Sequence, residues 1–176
     1  MKNLFICTLI VFSVSYAKAA EHTFSTSQVV KELNEISALR DNLAGAIDKS
    51  KNPVTPETFK ATCAPVGKRL KIWATDKGYQ AKQVSQKYRN PQHAPDTTEE
   101  SILEQFKAQP QLPYISQSDE KGTHLYVPIY ITQGCLNCHG PKDQRPAFVE
   151  KKYTQDKAFD FKVQDLRGIY SVFIAK

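Results

Sequence analysis

Apolar residues recur at helical spacing from Ser25 to Ser50. Val29, Leu33, Ile36, Leu43 and Ile47 share one side, while Lys31, Glu32, Glu35, Arg40 and Asp41 fall largely elsewhere. That periodicity predicts a long amphipathic helix with Ser25 or Ser27 at its start. A second start signal follows at Thr55-Pro56-Glu57, which combines a capping hydroxyl, a proline at the first position and an acid in the first turn. Phe59, Cys63, Val66, Leu70 and Trp73 continue at helical spacing up to Gly78. Pro65 lies inside this stretch and is expected to kink the helix or divide it, close to Cys63. Thr97 to Ala108 reads as a short helix with Thr97 or Thr98 as cap, Glu99 and Glu100 at its positive end, and Ile102, Leu103 and Phe106 on its apolar side.

Strand signals occupy the rest. Tyr79 to Gln86 reads as a polar strand. Tyr114 to Ser118 and Thr123 to Thr132 flank a four-residue turn, Asp119-Glu120-Lys121-Gly122. The second of these carries Leu125, Val127, Ile129 and Ile131 on one face, with Tyr126 and Tyr130 on the other. Phe161 to Val163 and Gly168 to Ala175 are expected to form a closing hairpin. Helices come first and strands follow with one inserted helix, so the order predicts an α+β domain built on an antiparallel sheet.

The N-terminus stands apart from this pattern. Lys2 precedes an apolar run from Leu4 to Val14, and Ala17-Lys18-Ala19 offers a cleavage point. Residues 1–19 therefore read as a secretory signal peptide, with residues 20–176 as the mature domain in the periplasm. The competing reading, an uncleaved anchor, needs a run nearer the ~20 apolar residues that span a bilayer. No later segment is apolar enough to cross a membrane. Cleavage would remove Lys2 and Lys18, two of the charges behind the formal net charge of +6. The remaining basic residues are scattered, which suits solubility and not nucleic-acid binding.

Cleavage also removes Cys7 and Met1, the only methionine, leaving Cys63, Cys135 and Cys138. Cys135-Leu136-Asn137-Cys138-His139 is the pattern of covalent haem attachment. Two intervening residues place both thiols on a common side, where they reach the two vinyl groups on one porphyrin edge, and the adjacent histidine supplies an iron ligand. A disulfide between Cys135 and Cys138, or a zinc site using Cys63 as well, is the competing reading. A zinc ribbon would want a second paired-cysteine knuckle, and none is present.

With no methionine in the mature chain, a His/Met iron site is impossible there. Candidates for the opposite face of the iron are Cys63, His22, His93, His124, a lysine or an open position. Cys63 lies on an apolar helix side and is the leftover thiol of an exported protein, so it is either an iron ligand or a buried core thiol. Tyr88 and Arg89 are candidates for hydrogen bonds to haem propionates, a guanidinium being suited to a carboxylate. Loop packing is the alternative for both.

Four segments together resemble a family of bacterial periplasmic haem-c domains with a PAS-like fold, once filed as a domain of unknown function and found alone or as sensor domains of histidine kinases. They are Cys63-Ala64-Pro65, the string from Lys87 to Asp96 (Lys-Tyr-Arg-Asn-Pro-Gln-His-Ala-Pro-Asp), the Cys135 to Gly140 motif, and Asp165-Leu166-Arg167-Gly168. The resemblance implies a five-stranded antiparallel sheet flanked by helices, and His139 and Cys63 as the two axial ligands. The chain departs from the family at Tyr79, where tryptophan is usual, and at Gln164, where glycine is usual. The expected function is redox or small-ligand sensing through one haem c, with a low-potential electron carrier as the alternative. An enzyme such as a peroxidase would need an open distal site with an acid–base residue over it, and no residue pattern supplies one. Expected partners are the cytochrome c maturation machinery and a redox or signalling protein, because no kinase or receptor module follows Lys176.

Overall fold

The computed structural model describes residues 25–50 and 54–176. The expected signal peptide and His22 lie outside the described residues. Helix α1 spans Thr26–Ser50 and α2 spans Pro56–Lys77. Thr55 caps α2 through a reciprocal pair with Thr58, and Gly78 ends it in the left-handed conformation at φ 70°. Pro65 does not divide α2. An interior proline costs about 3 kcal/mol, but Val66, Leu70 and Trp73 lie beyond it, all buried in the main core. Their burial, at about 1.5–3 kcal/mol for each large apolar side chain, outweighs the interruption.

Strand β1 is Gln80–Val84, α3 is Thr97–Ala108, β2 is Ile115–Ser118, β3 is Gly122–Tyr130 and β4 is Leu166–Ala175. The two short helices α4 (Leu136–His139) and α5 (Ala147–Lys152) lie between β3 and β4. Asp96, and not Thr97 or Thr98, caps α3. Its carboxylate accepts from the Glu99 N–H, and Glu99 reaches back to the Asp96 N–H.

The sheet is antiparallel in the order β1-β4-β3-β2. One face carries Leu125, Val127, Ile129, Tyr170, Val172 and Ile174 against the apolar stripes of α1 and α2. On the other face Val84, Tyr126 and Ile169 meet Ile102, Leu103 and Phe106 of α3. The α+β class and the antiparallel sheet are as the patterning predicts.

The strand count is corrected: the described residues form four strands, not five. Phe161 to Val163 does not pair with β4. Asp160 at φ 55° and Gln164 at φ 72° turn the chain left-handed on both sides of those three residues, so they cannot extend. The backbone groups here bond elsewhere. Phe161 N donates to His139 O at 3.1 Å, and Gln164 N donates to Ile131 O at 2.9 Å. The segment fastens the Cys135–His139 turn to the end of β3.

Candidate functional site

Beyond β3 the chain makes a tight turn at Gln133–Cys135 and enters α4. Gly134 is required here by a close approach: a Cβ would collide with the carbonyl of Ala44, where α1 crosses the turn. Cys135 Sγ lies 3.3 Å from Thr132 Oγ1, and Asn137 Nδ2 donates to Gly134 O at 3.1 Å. Cys135 joins Ala44, Ile131, Ala158 and Phe161 in a small apolar cluster. These contacts hold both cysteines and His139 in the wall of one pocket, which α1, α2 and the ends of β1, β3 and β4 complete.

The segment 156–161 wraps around α4. His139 Nδ1 lies 2.8 Å from the carbonyl oxygen of Ala158. That oxygen can only accept, so Nδ1 carries the proton and Nε2 is the nitrogen available to a metal. Burial, and then the charges of Arg167 and Arg89, hold the imidazole well below its usual pKa, so it is neutral near pH 7. Asp160 N donates to Gly140 O at 2.7 Å, adding a second tie to the turn.

Cys63 lines the same pocket from α2 and opens onto it. Its thiol pKa is pushed up by burial, against the opposing pull of Arg89 and Arg40. Burial likewise pushes Cys138 up to about 11. All three cysteines are free of disulfides. Among the described residues no three His, Cys, Asp or Glu side chains converge as a metal-ion cluster.

The remaining candidates divide. His93, in a short turn at Pro91–His93, lines the pocket. His124 is remote from it, on the outer sheet face beside Tyr126 and Phe173. Arg89 also lines the pocket, but its guanidinium is engaged within the protein. Nη2 donates to Cys138 O at 2.7 Å and to Ala158 O at 3.4 Å, and Nε donates to Asp156 Oδ1 at 3.3 Å. Tyr88 is not among the lining residues. Its ring lies 4.5 Å from Lys157 Nζ, and its carbonyl accepts from Lys157 N.

Two further arginines, Arg40 from α1 and Arg167 from β4, complete the lining. Arg40 passed in the sequence for part of a solvated helix face. Asp156, which gathers Arg89, Arg145 and the Ala158 N–H, carried no sequence signal, because Arg89 lies 67 residues away.

This donor set fits a haem. It offers two thiols at attachment spacing, an imidazole with Nδ1 tied back, a further sulfur, apolar walls at Val66, Ile129 and Ile131, and cationic side chains with no carboxylate among the lining residues. The pocket would hold the macrocycle through Cys135 and Cys138 and the iron through His139 and Cys63.

A model of the Tll0287-like family matches residues 16–175 of this chain. Among solved structures, the crystal structure of the cyanobacterial heme-protein Tll0287 matches with a TM-score of 0.77 at 41% identity, over 85% of this chain and 94% of that one. The curated proteins contain no match.

Proposed function

The chain belongs to the Tll0287-like family of haem-binding proteins, and on that premise we propose that it is an exported c-type haem protein that senses redox state or a small ligand. Cys135 and Cys138 would hold one haem covalently, and His139 and Cys63 would ligate its iron, in a PAS-like domain. The observation that carries this reading is the convergence of all four side chains on one pocket, with Ala158 O fixing the His139 tautomer. When bound, the haem would supply a one-electron iron couple and iron chemistry open to a small ligand.

The chain's own residues set how that group behaves. His139 is a neutral donor held in one orientation by the wrapped segment 156–161. Cys63 stands on α2, in a separate element, so its sulfur approaches independently of the covalent attachment. As an anionic donor Cys63 would favour ferric iron, and as a thiol it would be a weaker ligand. The positive n-region and apolar run of residues 1–19 support export to the periplasm, where covalent attachment takes place. A signalling or redox partner would then read the state of the domain.

Optical and electron paramagnetic resonance spectra of the purified periplasmic protein test this assignment. Ferric protein should be low-spin with a thiolate-type spectrum, and ferrous protein should take up carbon monoxide. A bis-histidine spectrum that ignores carbon monoxide would contradict the sensing role.

A further inference from the structure

Three arginines line the pocket, and no Asp or Glu lines it with them. The three guanidiniums are not equivalent. Arg89 is satisfied by Cys138 O, Ala158 O and the Asp156 carboxylate. Asp156 in turn is shared with Arg145, whose Nη1 lies 2.9 Å from Oδ2, and it forms no ion pair with Arg40 or Arg167 among the described residues.

Arg40 is only half satisfied. Nη2 donates to Gln83 Oε1 at 2.8 Å, and the guanidinium lies over the Tyr170 ring at 5.3 Å. Its Nη1 is buried and has no hydrogen-bond partner among the described residues. A buried donor on a charged group without an acceptor is rare, and it marks a place where an acceptor belongs. Arg167 donates through Nη1 to Lys87 O at 3.2 Å, sits 5.6 Å from the Phe161 ring, and forms no ion pair with a described carboxylate. Burial, then Arg89 and Arg40, pull its pKa down to about 10. It stays charged at neutral pH. Two cations thus line one pocket, and neither forms an ion pair with a carboxylate among the described residues.

We infer that Arg40 and Arg167 take the two haem propionates, and that Arg89 is a structural arginine holding the attachment turn. The inference rests on the haem reading of the pocket. The chemistry matches in number and kind: two carboxylates meet two forked donors, each able to give paired N–H bonds. It differs from the sequence expectation, which offered Arg89 and Tyr88 as candidates for the propionates with loop packing as the alternative.

The test uses the covalently loaded protein with Arg40→Gln, Arg167→Gln and the double change, and Arg69→Gln on the exposed face of α2 as control. Denaturing-gel haem staining is read first. A wild-type protein that never stains defeats the haem reading itself, separately from this inference. In stained protein, each pocket change should shift the propionate bending band in resonance Raman and lower the reduction potential, because a cation that favours ferrous iron has gone. The double change should do both more strongly, and Arg69→Gln should leave the band in place. Stained double-variant protein with the wild-type band and potential overturns the inference. Should the glutamine variants fail to fold, Arg40→Lys and Arg167→Lys retain the charge but lose the fork. Those variants should keep the potential near wild type and still move the band, and an unmoved band in both overturns the inference equally.

Discussion

His139 Nδ1 and the Ala158 carbonyl oxygen lie 2.8 Å apart although 19 residues separate them in the chain. With the bonds Asp160 N–Gly140 O and Phe161 N–His139 O, it ties a segment that has no regular secondary structure. Ala158 is fixed in turn by its own N–H on Asp156 Oδ1 at 2.9 Å. Asp156 also holds Arg89 and Arg145, and its side chain is 1% exposed. The orientation of His139 is thus linked to Asp156 through two hydrogen bonds.

Asp156→Asn should therefore act at a distance. It removes the negative charge between two guanidiniums, each less than a tenth exposed. Leaving buried charges unpaired costs about 3–5 kcal/mol. Chemical denaturation followed by circular dichroism should show a loss of this order. Loss of less than about 1 kcal/mol, the scale of an exposed pair, would show that Asp156 does not organise the turn.

Gln164 offers the opposite case. Its φ of 72° lies in the left-handed region, which costs an ordinary side chain about 1–2 kcal/mol. A glycine here, as the resemblance implies, would suit that backbone. Gln164→Gly should raise stability by up to about 1 kcal/mol, because the added freedom of the unfolded chain offsets part of the relieved strain. A lower melting temperature for the variant would show that Gln164 makes compensating contacts.

These two positions show what a sequence reveals and what it hides. Helices α1, α2 and α3 were legible because each buries a stripe at regular spacing. Cys135, Cys138 and His139 stood out because covalent haem attachment would demand a contiguous motif of that spacing. Phe161 to Val163 looked like a strand because its composition is apolar at alternate positions. Its hydrogen bonds, however, go to His139 O and Ile131 O, and the two left-handed residues that prevent extension are Asp160 and Gln164, neither a glycine. Arg40 looked solvated because its neighbours on the helix are polar. Its burial depends on Gln83 and Tyr170, residues far along the chain that only the folded sheet brings close.

The contact between Glu32 and Trp73 predicts an acid dependence. Burial raises the Glu32 pKa. The hydrogen bonds from Trp73 (2.6 Å), Gln28 and Lys77 outweigh it, so the folded value lies below the ordinary 4.5. A depressed carboxylate adds stability that is complete above its unfolded pKa and is lost as the pH falls through the folded value. Stability should therefore drop below pH ~4.5, and Glu32→Gln should flatten part of that drop while costing about 1.5 kcal/mol at neutral pH. Identical acid profiles for the two proteins would show that this contact contributes nothing.

Cys63→Ser separates an iron ligand from a packed thiol. Covalent haem should remain, because Cys135 and Cys138 are unchanged. The ferric iron should shift toward high spin, and the reduction potential should rise with the loss of an anionic donor. An unchanged ferric spectrum in folded protein would reject Cys63 as a ligand. His93, which lines the same pocket, would then be the residue to replace, since His124 lies on the outer face of the sheet.

The central claim is covalent haem on Cys135 and Cys138, and intact mass spectrometry of denatured periplasmic protein tests it most directly. The mass should exceed that of the processed polypeptide by one haem, and the excess should vanish when Cys135→Ala and Cys138→Ala are combined. A denatured wild-type protein with the mass of the bare polypeptide would contradict the account.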